Sequence, residues 1–221
     1  GDYSQEQSVD DLKNLMNYLK ISKAHIVGLS MGGNVALNFG LTNPDMVSSL
    51  VVAGTGTGSD EPDVFRQRVL EMSAGMRSKG MEHMQSYVFG PARVQLRNKS
   101  SKAFDLFRAQ FMEHSPIGSA NTFEGVLSKR PPIFELADKL SRIEIPTLIM
   151  TGDEDDPRIN PSLFLKKNIS SSGLVIFPRS GHAINLEEPG LFNRTVSDFL
   201  AMVEQGKWEP RDLGEGSGSL T

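Results

Sequence analysis

Short apolar runs alternate with helix-length amphipathic stretches at both ends of this 221-residue chain, while its middle third lacks such runs. After a polar start, Ser8-Val9-Asp10-Asp11 reads as a helix-opening capping sequence. Leu12, Leu15, Met16 and Leu19 then recur at i, i+3, i+4 and i+7, which predicts an amphipathic helix ending near Lys20. The run His25-Ile26-Val27 stops at Gly28 and predicts a strand. An amphipathic stretch opens at Gly32-Gly33 and ends at about Thr42, before Asn43-Pro44. Ser49 to Ala53 predicts a second strand, closed by Gly54-Thr55-Gly56-Thr57-Gly58. The rhythm returns with strands over Ile145–Met150 and Gly173–Pro178, a helix start at Asn160-Pro161, and a last helix from Pro189. Phe192, Val196, Phe199, Leu200 and Val203 fall on one face of that helix. Buried strands alternating with helices predict an α/β architecture built on a mostly parallel sheet flanked by helices.

From Ser59 to about Ser141 the pattern is helical throughout, broken by Gly80, Gly90-Pro91, Pro116 and Pro131-Pro132. Met72, Met76, Met81, Met84 and Met112 concentrate there, with Phe104, Phe107 and Phe111 at helical spacing. Core packing explains those spacings, and an adaptable apolar wall over a binding site is compatible with it. The expected organisation is therefore a first core segment at 1–58, a helical cap at 59–141, a second core segment at 142–206, and a Gly/Ser-rich flexible tail at 207–221.

Composition narrows the function. A net charge of −4 argues against nucleic acid or an anionic membrane as partner, and no apolar run is long enough to span a bilayer. The absence of cysteine excludes disulfides, thiol nucleophiles and zinc–thiolate sites, and suits a cytoplasmic address. The acidic run Asp153-Glu154-Asp155-Asp156 lacks the glycine-bearing spacing of a calcium loop, so no metal is expected. Gly54 to Gly58 lacks the third glycine of a dinucleotide loop, since Ser59 stands in its place, so no cofactor is expected either.

The chemistry centres on Gly28-Leu29-Ser30-Met31-Gly32, which fits G-x-S-x-G between a strand and a helix. A sharp turn there would expose the Ser30 hydroxyl and require glycines two positions to either side, against the neighbouring strand and helix. The Met31 N–H would then sit at a helix N-terminus, facing a developing oxyanion. The plainer alternative is that Ser30 merely caps the helix. A nucleophilic serine needs a base and a carboxylate. Among four histidines, His25 lies at the wrong end of its strand, and His83 and His114 fall in the helical stretch. His182 follows a strand and a glycine and is the candidate base. The acid lies in the 153–156 run, giving the chain order Ser…Asp…His.

With Gly-Leu-Ser-Met-Gly-Gly, Gly152-Asp153-Glu154-Asp155 and Ser180-Gly181-His182 in place, the chain resembles the cap-bearing α/β-hydrolase superfamily from near Gly1 to about Gly206. The elbow wording is most similar to enol-lactonases and small esterases. The resemblance implies an α/β-hydrolase fold and selects Asp155, fourth in a G-x-x-D pattern, with Asp156 next and Asp60 or Asp63 further behind. It implies a serine hydrolase of a small-molecule ester, lactone or thioester, with C–C hydrolysis, acyl transfer and perhydrolysis open to the same chemistry. The resemblance also implies strands ahead of the first helix, which are not found before Ser8; the chain is expected to begin mid-domain, with the elbow strand as an unpaired edge. That departure predicts a fragment of poor stability and weak activity, and it keeps a non-catalytic hydrolase-fold binding module as the competing reading. Nothing in the residues sets the oligomeric state.

Overall fold

The computed structural model describes residues 3–210. Four parallel strands, β1 (Ala24–Leu29), β2 (Val47–Ala53), β3 (Thr147–Gly152) and β4 (Ser172–Phe177), pair in the order β1-β2-β3-β4. The strand positions follow the sequence reading to within two residues or so. The strands alternate between two cores because successive side chains point to opposite faces. Leu50, Val52 and Ile149 join one core with Leu37, Phe39 and Leu165. Val51, Ala53, Leu148 and Met150 join the other, with Phe177, Ile184 and Phe199. Burial on both faces explains why β2 and β3 read as continuous apolar runs.

The first helix, α1 (Gln5–Tyr18), starts earlier than the capping sequence at Ser8 suggests. Ser4 is its N-cap, its Oγ accepting from the Gln7 N–H at 3.0 Å, while the Ser8 hydroxyl donates to the Ser4 carbonyl. Val9 and Met16 are buried and Leu12 packs beside them, but Leu15 and Leu19 are exposed. The apolar face expected from Leu12, Leu15, Met16 and Leu19 is thus only half used. β1 pairs with β2 alone among the described residues and stands at an edge, with Val27 47% exposed.

After β1, helix α2 (Met31–Thr42) packs back on the sheet, and the chain reaches β2 through a short 3-10 turn. Residues 59–141 contain no strand, as the pattern predicts. They begin with α3 (Pro62–Lys79) and include the helices Ser101–Met112 and Pro116–Thr122. Met76, Met81 and Met84 are buried against Ala120, with Met72, Phe111, Met112 and Phe123 alongside. The helix after β3 runs Asp156–Asn168, so Asn160-Pro161 is not its start. Pro157 already supplies the first-turn proline, and Pro161 falls inside the helix. The last helix, Pro189–Glu204, buries the anticipated face.

Within the stretch expected to be loose after Gly206, Trp208 is docked while Lys207, Glu209 and Pro210 are exposed. Trp208 donates its indole N–H to the Ser171 carbonyl at 2.7 Å and stacks edge-on against Phe199 at 4.6 Å. Gly173 makes room for it, since a Cβ there would come within 2.7 Å of the indole. Residues 211–221 of that stretch lie outside the described residues.

Candidate active site

Ser30 stands between β1 and α2 with φ 58° and ψ −114°, a conformation that costs a non-glycine residue on the order of 1–3 kcal/mol. Tight packing holds it there. A Cβ at Gly28 would lie 2.1 Å from the Gly32 carbonyl oxygen and 2.6 Å from the Gly33 nitrogen. Gly33 is closed off as well, by Thr55 Oγ1 at 2.0 Å. Gly32 is different: a Cβ there meets nothing within 4 Å, so the close approach expected on the far side of Ser30 falls one residue later, at Gly33. Ser30 makes no side-chain capping bond to α2, so the plainer capping role is not what its hydroxyl does. Met31 is the first residue of α2, and its N–H belongs to the first-turn donors that have no intrahelical acceptor.

The Ser30 Oγ lies 2.9 Å from His182 Nε2, and His182 Nδ1 lies 2.8 Å from Asp155 Oδ2. Ser30 follows β1, Asp155 follows β3 and His182 follows β4, which puts all three at the carboxyl ends of parallel strands. Asp155, fully buried, is the carboxylate that meets the imidazole. Asp156 is exposed in the first turn of the next helix, Asp60 accepts from Asn160, and Asp63 pairs with Arg66. The other histidines form no hydrogen bond with Ser30: His25 bridges Ser49 and Glu204, His83 packs over Gly75, and His114, exposed beside Phe111, lines a cavity that reaches Ser30.

Loops from three elements fix the imidazole. Gly54, at φ +52°, runs beneath it, and a Cβ there would lie 3.2 Å from Nδ1. The His182 N–H donates to the Ala92 carbonyl at 2.8 Å. Glu187 spans the histidine, its carboxylate accepting from the Gly181 N–H at 2.6 Å and the Ala183 N–H at 3.0 Å. Burial pushes the Glu187 carboxyl above its ordinary range, against those two bonds. Burial likewise lowers the His182 pKa; the bond to Asp155 pulls it up and the Arg158 charge pushes it down. The neutral imidazole is thereby favoured, which leaves Nε2 free to accept a proton when Nδ1–H points at Asp155.

Two features escaped the sequence. Arg158 donates to Asp155 Oδ1 at 2.6 Å, so the carboxylate is held from both sides; the only signal was its place three residues on. Glu187 sits five residues after His182 in a helix of one turn, a spacing with no general signature. Two cavities meet at Ser30. One of about 510 Å3 is lined by Met31, Met76, Phe111 and Phe123, among others, and one of about 90 Å3 lies beneath Phe65 and Met72. The methionine-rich stretch therefore both packs its own core and walls the site. Among the described residues no group of His, Asp and Glu is arranged to hold a metal ion, and no helix is long and apolar enough to cross a membrane.

A parallel α/β sheet carrying a strained serine at a strand–helix turn, with a histidine and an aspartate at neighbouring strand ends, defines a class of hydrolase-like proteins. A family model described as alpha/beta hydrolase fold matches residues 1–189, and the chain belongs to that family. It is 27% identical over 208 residues to the putative 2-succinyl-6-hydroxy-2,4-cyclohexadiene-1-carboxylate synthase of Bacillus subtilis (strain 168), covering 91% of this chain and 74% of that protein. It is 31% identical over 209 residues to the 2-hydroxy-6-oxononadienedioate/2-hydroxy-6-oxononatrienedioate hydrolase of Paraburkholderia xenovorans (strain LB400), covering 89% and 68%. Among solved structures, MenH from S. aureus superposes with a TM-score of 0.84 at 20% identity, covering 92% of this chain and 77% of that one. The enol-lactonase from Burkholderia xenovorans LB400 superposes at 0.78 with 24% identity, covering 90% and 74%. Family and relatives together make this an α/β-hydrolase enzyme.

Proposed function

We propose that the chain cleaves an ester, lactone or related acyl bond of a small molecule through a covalent acyl-enzyme, with Ser30 as nucleophile, His182 as base and then acid, and Asp155 orienting the imidazole. The observation that carries this reading is the continuous path Ser30 Oγ–His182 Nε2 and His182 Nδ1–Asp155 Oδ2, at 2.9 and 2.8 Å. Ser30 Oγ attacks the carbonyl carbon as its proton passes to Nε2. Asp155 accepts the Nδ1–H of the resulting imidazolium, and Arg158 keeps that carboxylate in place. The Met31 N–H donates to the tetrahedral oxyanion. The intermediate collapses as Nε2 returns its proton to the leaving oxygen. Water, deprotonated by His182, then attacks the acyl carbon and frees Ser30.

Steady-state hydrolysis of a nitrophenyl ester and lactone panel tests the reading, with Ser30→Ala, His182→Gln and Asp155→Asn beside the parent chain. The expected loss is on the order of 10³-fold or more in kcat for Ser30→Ala and His182→Gln. A ligand that binds without turnover, with Ser30→Ala making no difference, is the result expected of a non-catalytic binding module and would replace the proposal.

A further inference from the structure

The smaller cavity beside Ser30 is charged in a way that acyl transfer itself does not require. Its walls include Arg130 and Arg158, and no aspartate or glutamate lines it. Arg158 is already paired with Asp155, yet its Nε is buried without a hydrogen-bond partner. Arg130 donates to the Thr57 carbonyl at 2.8 Å and lies 5.4 Å over the Phe65 ring; among the described residues no carboxylate lies within ion-pair distance of it. A cation on a cavity wall whose neighbours are a carbonyl, an aromatic face, Tyr87 and a second guanidinium is short of its counter-charge. Burial and the neighbouring Arg158 charge push the Arg130 pKa down to about 10, so it still carries its charge at neutral pH. The larger cavity contrasts with it. Its lining has no lysine, arginine, aspartate or glutamate, and is mostly apolar.

We infer that the substrate is an anionic acyl compound, whose carboxylate enters the smaller cavity against Arg130 while its apolar remainder fills the larger one. The inference rests on the hydrolase reading for the position of the scissile bond beside Ser30, where the two cavities meet. A carboxylate there accepts hydrogen bonds from the unused guanidinium donors of Arg130 and supplies the counter-charge it lacks, Arg158 being already paired with Asp155. At about 90 Å3 the cavity has room for a carboxylate and a few carbon atoms of the group that bears it. Monoesters of short dicarboxylic acids and esters of an acidic alcohol or phenol are the two sources of that chemistry.

The test compares kcat/KM for 4-nitrophenyl hemiglutarate, 4-(valeryloxy)benzoate and the neutral 4-nitrophenyl valerate, in the parent chain, Arg130→Met and Arg130→Lys, with each variant's folding checked by circular dichroism. The acid-to-neutral ratio is expected to exceed about 10 for one acid ester, and which one reports whether the carboxylate belongs to the acyl or the leaving side. Arg130→Met is expected to lower that ratio by about 10- to 100-fold, mainly through KM, and Arg130→Lys to restore part of it. Equal ratios in the parent chain, or a ratio that Arg130→Met does not move, overturn the inference while leaving the hydrolase intact. If none of the esters is turned over, calorimetry with glutarate decides separately. Heat that disappears in Arg130→Met supports the anion site and leaves the hydrolase reading to its own ester and lactone panel, and no heat in the parent chain overturns the anion site.

Discussion

The two glycines of the Gly28-Leu29-Ser30-Met31-Gly32 turn are predicted to respond to alanine with opposite signs. At Gly28 the added methyl meets backbone, the Gly32 carbonyl oxygen at 2.1 Å and the Gly33 nitrogen at 2.6 Å. Neither atom belongs to a side chain that can rotate away, so β1 and the start of α2 must separate by about 1 Å or more to reach ordinary contact. Overpacking usually costs about 1–3 kcal/mol, and this case belongs at or above the top of that range because only backbone can yield. At Gly32 the methyl enters open space on an exposed helical residue, and replacing glycine in a helix gains roughly 0.5–1 kcal/mol. The gap between the two variants is thus about 4 kcal/mol. Urea denaturation followed by circular dichroism reads it as opposite shifts in midpoint at constant slope. Serine reactivity should follow, lost in Gly28→Ala and retained in Gly32→Ala. Equal destabilisation by both substitutions, or a Gly28→Ala variant as stable as the parent, would refute the packing argument.

Three further outcomes follow from the site and its surroundings. The pH dependence of kcat/KM should rise as His182 loses its proton, with a midpoint below the ordinary histidine value of about 6.5, because burial lowers its pKa. The same shift makes the unfolded chain bind more protons, so the His182 contribution to stability is complete above about pH 6.5 and is lost as pH falls through its lower folded value; an activity midpoint above pH 7 contradicts this. Glu187→Ala strands two N–H groups on either side of His182 and should cost about 2–4 kcal/mol, with a fall in kcat measured on the folded fraction, whereas unchanged stability and kcat would dismiss the clamp. Trp208→Ala removes the stacking on Phe199 and the bond to Ser171, at about 2–3 kcal/mol by denaturant titration, and no change in midpoint would mean the docking carries no energy.

Much of the fold was legible because its signals are local. β2 and β3 are apolar on both faces, and the last helix repeats its apolar residues with helical period, so run length and spacing were enough. Ser30 and His182 were legible because glycine and strand context mark a turn. The choice of Asp155 over Asp156 needed a family resemblance, since adjacent carboxylates in one loop differ only in which way the backbone points them. What escaped was tertiary. Ser4 rather than Ser8 caps α1, and no spacing rule ranks two serines that both precede helical residues. The exposure of Leu15 and Leu19 depends on what packs against α1, and Trp208 docks through a gap left by Gly173, 35 positions earlier in the chain. Arg130 carries no signal in its spacing or its neighbours; only the closure of the helical stretch over Ser30 puts it on a cavity wall.

The most direct test of the account is covalent labelling of the purified chain with a fluorophosphonate, read by intact mass and peptide mapping. One equivalent on the peptide containing Ser30, absent from Ser30→Ala and strongly slowed in His182→Gln, is the predicted result. No adduct in the parent chain, or an adduct that persists in Ser30→Ala, would contradict the claim that Ser30, His182 and Asp155 act together.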